Sequence, residues 1–122
     1  MEKKKILAID DSMAQLTTYQ GILSSKFIFR AVKSAADALS FLNSNQVDVV
    51  LLDIEMPNIS GFEFLQDIKR IPSYTHVPII IISSKSGPEF DNQVNTYGVA
   101  DVLGKPVDPD KLVTAIEKHL AL

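Results

Sequence analysis

The sequence predicts an α/β domain in which a parallel β-sheet is covered by helices on both faces. Short apolar segments rich in β-branched residues alternate with stretches whose apolar residues recur at helical spacing. Such alternation is typical of parallel strands joined by right-handed helical crossovers. In the middle of the chain, residues 49–52 are all apolar and run straight into Asp53. Because so short an apolar run is typical of a strand buried on both faces, we expect a doubly wound sheet with Asp53 at the carboxyl end of a central strand.

The strands are predicted from apolar runs that are bounded by polar or turn-forming residues. They cover residues 6–9, 27–32, 47–53, 77–82 and 100–103. The second of these runs ends in Val32 and Lys33, without an acid or a hydroxyl, which suits a strand at the edge of the sheet.

The helices are predicted from capping residues at their starts and from apolar stripes along them. Side-chain oxygens that can cap a helix N-terminus precede four of them, at Ser12, Ser34, Ser60 and Asp108. A further helix extends over residues 88–97, starts with a proline and is ended by Gly98. The helix that follows Ser60 is also indicated by a stripe formed by Phe64, Leu65 and Ile68.

The composition describes one globular domain and excludes several classes of function. The chain has 122 residues, of which 46% are hydrophobic, enough for a single core. Its net charge of −3 offers no basic surface for nucleic acid. It has no cysteine for a disulfide or thiolate metal site, and no apolar run approaches the roughly 20 residues of a membrane helix. We expect residues 1–122 to form one cytoplasmic domain without direct contact with nucleic acid or membrane.

Most of the predicted strands carry a polar or charged group where they end. The first ends in Asp10 and Asp11, the third in Asp53, the fourth in Ser83 and the fifth in Lys105. The carboxyl ends of parallel strands share one edge, and the first and third strands can be neighbours at a topological switch point. Each of these residues alone is more commonly a helix cap, a turn residue or a surface charge. Their joint occurrence at four strand ends instead predicts one site.

The chemistry of these groups indicates a receptor for a phosphoryl group. Three carboxylates that lie close together repel one another unless cations neutralise them. Lys105 supplies one positive charge, and Mg²⁺, which prefers oxygen ligands and keeps several waters, suits the rest. A lysine, a hydroxyl and Mg²⁺ can together neutralise and orient a phosphoryl group. A carboxylate can then act as nucleophile and form an acyl phosphate, and Asp53 is the best candidate because it ends the central strand.

These motifs resemble those of the CheY-like receiver domain of two-component response regulators. The resemblance covers the whole chain, and the order and spacing of the motifs match the family. It rests on the pair Asp10-Asp11, on LLDIEMPNISG with Asp53, on PIIIISS with Ser83, and on Lys105-Pro106. The resemblance implies a flavodoxin-like (βα)5 fold with the sheet order 2-1-3-4-5.

The resemblance also implies a phosphorylation site and its metal. Asp53 would take a phosphoryl group from a phosphohistidine on a histidine kinase or a histidine phosphotransfer protein. Mg²⁺ would be bound directly by Asp11, by Asp53 and by the backbone carbonyl of Glu55, and through water by Asp10. Phosphorylation would switch a surface that contacts a downstream protein partner.

The other strand ends are assigned by the resemblance to recognition and switching. Ser83 would hydrogen-bond the phosphoryl group, Lys105 would pair with it, and the bond from Lys105 to Pro106 would be cis. In the usual switch the hydroxyl residue moves toward the phosphoryl group, and an aromatic residue three positions before the lysine follows it inward. Val102 stands at that position here. Ser83 and Val102 are the predicted switch residues, and a valine cannot report the shift as an aromatic ring does.

Two further residues are predicted to modulate the site. Glu55 lies two residues beyond Asp53, and Lys85 lies two residues beyond Ser83. Family positions there tune hydrolysis of the phosphoaspartate. We hypothesise that Glu55 and Lys85 pair across the mouth of the site and hinder an attacking water.

Three other functions share some of these features. A haloacid-dehalogenase-type phosphatase also uses a strand-end aspartate and Mg²⁺, with Glu55 as its general acid, but the chain is too short for a cap and a substrate pocket. A flavodoxin would bind FMN through its first loop, where Asp10 and Asp11 would repel the phosphate. A receiver-like binding module that is not phosphorylated would not need the complete acidic set. We therefore expect a signalling switch, not an enzyme, that only transfers a phosphoryl group to itself and loses it slowly. It would act by protein contact, either alone or as part of a longer protein.

Overall fold

The computed structural model of the chain describes residues 3–55, 61–74, 76–84 and 87–120. Its strands are β1 (Lys5–Ile9), β2 (Ile28–Val32), β3 (Val49–Asp53), β4 (Ile79–Ser83) and β5 (Asp101–Gly104). Its helices are α1 (Met13–Leu23), α2 (Ala35–Ser44), α3 (Gly61–Lys69), α4 (Pro88–Tyr97) and α5 (Pro109–His119), with a 3₁₀ turn at Pro72–Tyr74. None of these helices combines the length and apolar character needed to cross a bilayer.

All strand pairs are parallel, and the sheet order is β2-β1-β3-β4-β5. This confirms the predicted fold class, the predicted order and the position of the second strand at an edge. Successive side chains of a strand point to opposite faces, so the central strands feed two separate apolar layers. Val50 and Leu52 pack with α2, α3 and α4 on one face. Val49 and Leu51 pack with α1 and α5 on the other. β3 is therefore buried on both faces, as its sequence predicts.

The helix ends follow the predicted capping. Three of the four predicted caps, Ser12, Ser34 and Asp108, accept hydrogen bonds from backbone N–H groups of the first turn through side-chain oxygens. The fourth, Ser60, lies outside the described residues. α4 starts at Pro88 and ends at Gly98, whose φ of 63° is left-handed. Glycine adopts that conformation without a steric cost.

Some boundaries differ from the prediction for local reasons. β4 begins after Pro78 and not at Val77, because the Val77 N–H donates to the carbonyl of Tyr74 after the 3₁₀ turn, which was not predicted. α2 continues through Ser44, although Asn43, Ser44 and Asn45 predict a break there, and the side chain of Asn45 donates to a carbonyl of the last turn. β2, β3 and β5 also begin slightly later than predicted.

Candidate functional site

Three polar residues are buried where the central strands end. Among the residues that the structure describes, the buried polar side chains are Asp10, Asp53 and Ser83, which are 1%, 4% and 1% exposed. β3 pairs with β1 on one side and with β4 on the other. The ends of these three strands are therefore adjacent, and the register brings all three side chains to one edge of the sheet.

A cluster of carboxylates lies at this edge. Carboxylate oxygens of Asp10, Asp11 and Asp53 all lie within 4.8 Å of one another. Oδ1 of Asp10 accepts the N–H of Ser12 at 2.9 Å, whereas its buried Oδ2 has no hydrogen-bonding partner within the described part of the chain. Burial raises the pKa of Asp10 to about 6, against the lowering effect of the Ser12 N–H, and the negative charge of Asp53 adds to the rise.

The donor set of this cluster fits a hard divalent cation. A buried carboxylate oxygen without a partner is costly unless a proton or a cation satisfies it. Carboxylates of Asp11 and Asp53 stand beside Asp10, and Asp11 is exposed, which leaves access for metal-bound water. Mg²⁺ prefers oxygen ligands and keeps water molecules at several of its coordination positions. The three acids are therefore the residues that could hold it.

The side chain of Lys105 also reaches Asp53. Its Nζ lies 3.3 Å from Oδ2 of Asp53, while Oδ1 of Asp53 accepts the N–H of Glu55 at 2.9 Å. The backbone N–H of Lys105 donates to the Ser83 carbonyl at 3.1 Å, which holds this loop against the end of β4. The bond between Lys105 and Pro106 is cis, as the resemblance implies. Asp53 thus meets an ammonium at one oxygen and a backbone donor at the other.

The side chain of Glu55 forms contacts that were not predicted. Its Oε1 accepts hydrogen bonds from Ser83 Oγ, from the Ser84 N–H and from Ser84 Oγ, each at 2.8 Å. The hydrogen bond from Ser83, followed by that from the Ser84 N–H, lowers the pKa of Glu55 to about 2. The register between β3 and β4 predicts the contact between Glu55 and Ser84. Asp53 pairs with Ile82, so the residues two positions further along each chain, Glu55 and Ser84, come to face each other.

Val102 and Lys85 are the two remaining predicted residues. Val102 is half-buried on β5, where it pairs with Ile81 and packs against the apolar layer of α2, α3 and α4. Lys85 lies outside the residues that the structure describes. Its pairing with Glu55 stays a prediction.

Tyr19 is a neighbour of the acids that the sequence assigned only to the core. It is 1% exposed on α1, and its hydroxyl has no hydrogen-bonding partner among the described residues. Burial raises the pKa of Tyr19, and the negative charges of Asp10 and Asp53 raise it further. The helical spacing of Leu16, Tyr19 and Leu23 predicts the buried face of α1 but not the acids that this face meets.

The chain is similar to several known proteins. The sequence pattern of the response regulator receiver domain matches residues 6–117. The DNA-binding transcriptional regulator NtrC of Proteus hauseri is 36% identical over 123 residues, which cover 98% of this chain and 25% of that protein. The two-component response regulator ORR11 of Oryza sativa subsp. indica is 36% identical over 106 residues, which cover 85% of this chain and 72% of that protein. The structure of the chemotaxis response regulator CheY4 of Vibrio cholerae superposes with a TM-score of 0.89 at 24% identity, covering 96% of this chain and 98% of that one.

The lengths of these relatives differ widely. The chain spans about a quarter of the length of the longer relatives it matches and most of the length of the shorter ones.

Proposed function

The chain belongs to the response regulator receiver domain family of two-component signalling, and from this membership we propose that it is a phosphorylation-controlled switch whose phosphoryl acceptor is Asp53. The phosphoryl donor is a phosphohistidine of a histidine kinase or a histidine phosphotransfer protein. The observation that carries the proposal is the position of Asp53. It ends the central strand, is 4% exposed, and lies between two further acids and the ammonium of Lys105.

Three acids and one carbonyl form the proposed metal site. Asp11 and Asp53 bind Mg²⁺ directly together with the backbone carbonyl of Glu55, and Asp10 binds it through water. The mutual approach of the carboxylates and the unpartnered buried oxygen of Asp10 support this assignment. When bound, Mg²⁺ supplies positive charge that offsets the charges of the acids and of the phosphoryl group.

The transfer step uses Asp53 as the nucleophile. One carboxylate oxygen of Asp53 forms a bond to phosphorus, and the bond between phosphorus and the donor histidine nitrogen breaks, with its electron pair going to that nitrogen. Lys105, 3.3 Å from Asp53 before transfer, pairs with the negative charge of the phosphoryl oxygens. On the neighbouring strand β4, Ser83 comes directly after Ile82, the residue that pairs with Asp53. Its hydroxyl donates a hydrogen bond to one of the phosphoryl oxygens.

The switch acts through the elements that follow Ser83. α4 has one buried residue, Phe90, and an element with few buried contacts has a low local stability. A movement of Ser83 would therefore displace α4 at a low cost in free energy and reach Val102 on β5. The surface that changes binds a downstream protein, and phosphorylation shifts the balance between its two arrangements.

Glu55 and Lys85 set the lifetime of the phosphoaspartate in this proposal. Once the phosphoryl group is in place, Glu55 pairs with Lys85 across the mouth of the site and hinders an attacking water. The half-life of the phosphorylated protein in Glu55→Ala and Lys85→Ala variants tests this assignment. An unchanged half-life in both would contradict it.

The phosphatase alternative would require Glu55 to act as a general acid. Hydrogen bonds from Ser83 and from the Ser84 N–H stabilise the ionised carboxylate and lower the pKa of Glu55 to about 2. At neutral pH the carboxyl group then holds no proton to donate. We infer that the chemistry of the chain is limited to its own phosphorylation and slow dephosphorylation. Multiple-turnover hydrolysis of a small phosphate ester would contradict this inference.

Phosphorylation by acetyl phosphate in the presence of Mg²⁺ tests the proposed function. We expect the wild type to take up a single phosphoryl group and Asp53→Ala to take up none. Asp91→Ala, which removes an exposed aspartate from α4, is the matched control and should be labelled like the wild type. Labelling that survives in Asp53→Ala would overturn the proposal.

A further inference from the structure

The carboxylate of Glu55 is held by hydrogen-bond donors at the end of β4. Its Oε1 accepts from Ser83 Oγ and from the Ser84 N–H, each at 2.8 Å. The hydroxyl of Ser84 donates to Oε1 at 2.8 Å and to Oε2 at 3.0 Å. Because Glu55 is itself exposed, these hydrogen bonds and not burial fix the position of its side chain.

The same donors stand beside Asp53. The pairing of Asp53 with Ile82 places Ser83 and Ser84 directly after the strand residue that lies opposite the phosphoryl acceptor. The ammonium of Lys105 lies 3.3 Å from Asp53 Oδ2, and its positive charge also stabilises the negative charge of Glu55. Oε1 of Glu55 therefore already accepts hydrogen bonds from the Ser83 hydroxyl and the Ser84 N–H, and the charge of Lys105 stabilises this carboxylate. An oxygen of the phosphoryl group would need the same donors and the same positive charge.

We propose that the Glu55 carboxylate is an internal competitor that takes the place of a phosphoryl oxygen and leaves it when Asp53 is phosphorylated. This inference rests on the proposed function. A phosphoryl group brings a charge of about −1.5 to −2 and three acceptor oxygens, so it repels Glu55 and takes over the Ser83 hydroxyl and the Ser84 N–H. Glu55 withdraws at a low cost because its side chain is exposed to solvent.

The competition couples phosphorylation to the segment that follows β4. Glu55 ties Ser83 and Ser84 to the chain just after β3 in the unphosphorylated protein. The departure of Glu55 removes its hydrogen bonds with Ser83 and Ser84, so the Ser83 hydroxyl can donate to the phosphoryl group instead. The Glu55 carboxylate therefore stabilises the unphosphorylated conformation by making the hydrogen bonds that the phosphoryl group makes after transfer.

A substitution that removes the hydroxyl of Ser84 tests the competition by Glu55 without removing the donors proposed for the phosphoryl group. That hydroxyl donates to both oxygens of Glu55, whereas the backbone N–H of Ser84 stays available in any variant. Ser84→Ala therefore weakens the hold on Glu55 without changing the charge of the protein. The substitution also leaves the Ser83 hydroxyl in place for the incoming anion.

Binding of beryllofluoride, a phosphoryl mimic that adds to an aspartate carboxylate, measures the competition at equilibrium in the presence of Mg²⁺. We expect Glu55→Ala and Ser84→Ala each to bind it about 3- to 10-fold more tightly than the wild type, as loss of hydrogen bonds to a charged competitor predicts. Both substitutions act on one contact, so the double variant should gain less than the product of the single gains. Glu89→Ala and Ser40→Ala, at an exposed glutamate on α4 and an exposed serine on α2, should bind like the wild type.

The outcomes separate this inference from the proposed function. Unchanged or weaker binding in both Glu55→Ala and Ser84→Ala, with normal binding by the wild type, overturns the competition and leaves the proposed function standing. Tighter binding in Glu55→Ala but not in Ser84→Ala assigns the gain to the removed charge and also overturns it. If neither the wild type nor any variant binds beryllofluoride, the proposed function fails as well.

Discussion

Two buried tyrosines show how the surroundings of one hydroxyl decide its contribution to stability. The hydroxyl of Tyr74 donates to the carbonyls of Leu42 and Asn45. The hydroxyl of Tyr19 has no partner among the described residues. A buried hydroxyl without a partner costs about 1–3 kcal/mol, whereas a satisfied one contributes about 1 kcal/mol.

Removal of the hydroxyl should therefore have opposite effects at these two positions. We expect Tyr74→Phe to lower the free energy of unfolding by about 1 kcal/mol and Tyr19→Phe to raise it by about 1 kcal/mol. Urea unfolding of the two variants beside the wild type measures both changes. A loss of stability in Tyr19→Phe equal to that in Tyr74→Phe would contradict the account of the Tyr19 site.

Two acids of the site act on stability in opposite pH ranges. Burial raises the pKa of Asp10 from 3.8 to about 6 in the folded protein. Protonated Asp10 therefore contributes fully to the free energy of unfolding below pH 3.8, and this contribution is lost as the pH rises through 6. The hydrogen bond from Ser83 and then that from the Ser84 N–H lower the pKa of Glu55 from 4.5 to about 2. The stability from Glu55 is therefore present above pH 4.5 and is lost as the pH falls through 2.

The metal-free protein should accordingly be most stable between pH 3.8 and 4.5 and lose stability as the pH rises to 6. Urea unfolding at a series of pH values without Mg²⁺ measures this profile. Asp10→Asn should abolish the decline above pH 4.5, because its side chain cannot ionise. An Asp10→Asn profile that still falls like that of the wild type would show that another group causes the decline.

At the scale of the secondary-structure elements, two glycines in similar space have different conformational roles. A Cβ atom added at Gly21 or at Gly98 would meet no atom within 4 Å. Gly21 lies inside α1, where glycine is less favourable than alanine. Gly98 ends α4 in the left-handed region, where an alanine would be strained.

The same substitution should stabilise one helix and destabilise the end of the other. We expect Gly21→Ala to raise the free energy of unfolding by about 0.5–1 kcal/mol and Gly98→Ala to lower it by about 1 kcal/mol. Thermal or urea unfolding of both variants provides the measurement. Equal signs for the two changes would contradict the backbone argument.

Two aromatic side chains of α4, Phe90 and Tyr97, lie against Phe62 of α3. Tyr97 stacks on Phe62 with ring centroids 5.1 Å apart, and its hydroxyl accepts a hydrogen bond from Gln66 at 3.2 Å. Phe90 is the one buried residue of the helix. Tyr97→Ala should therefore speed amide hydrogen exchange in α4 and leave exchange in β3 unchanged. Equal acceleration in both elements would indicate global destabilisation and contradict a separate, weakly held α4.

At the scale of the whole molecule, the sequence was sufficient to predict the fold and the proximity of the acids. Apolar runs such as residues 49–52 predicted the buried strands, and side-chain caps such as Ser12 predicted the helix starts. Parallel strands necessarily deliver their carboxyl ends to one edge, so the strand pattern of the sequence alone places Asp10 and Asp53 together.

The contacts that escaped prediction depend on side-chain positions that one sequence does not specify. The hold of Glu55 on Ser84 follows from the register between β3 and β4 and from the direction of a flexible side chain. The approach of Tyr19 to the acids follows from the packing of α1 beside the end of β1. The 3₁₀ turn that delays β4 is a short local hydrogen-bonded structure without a distinctive sequence pattern.

The central claim is that Asp53 is the residue that carries the phosphoryl group. Borohydride reduces an acyl phosphate to an alcohol, so it marks the phosphorylated carboxylate permanently. We would treat the wild type with acetyl phosphate and Mg²⁺, reduce it, digest it and locate the reduced residue by mass spectrometry. The account predicts reduction at position 53 alone. Reduction at another carboxylate, such as Asp10 or Asp11, with position 53 unmodified would contradict it.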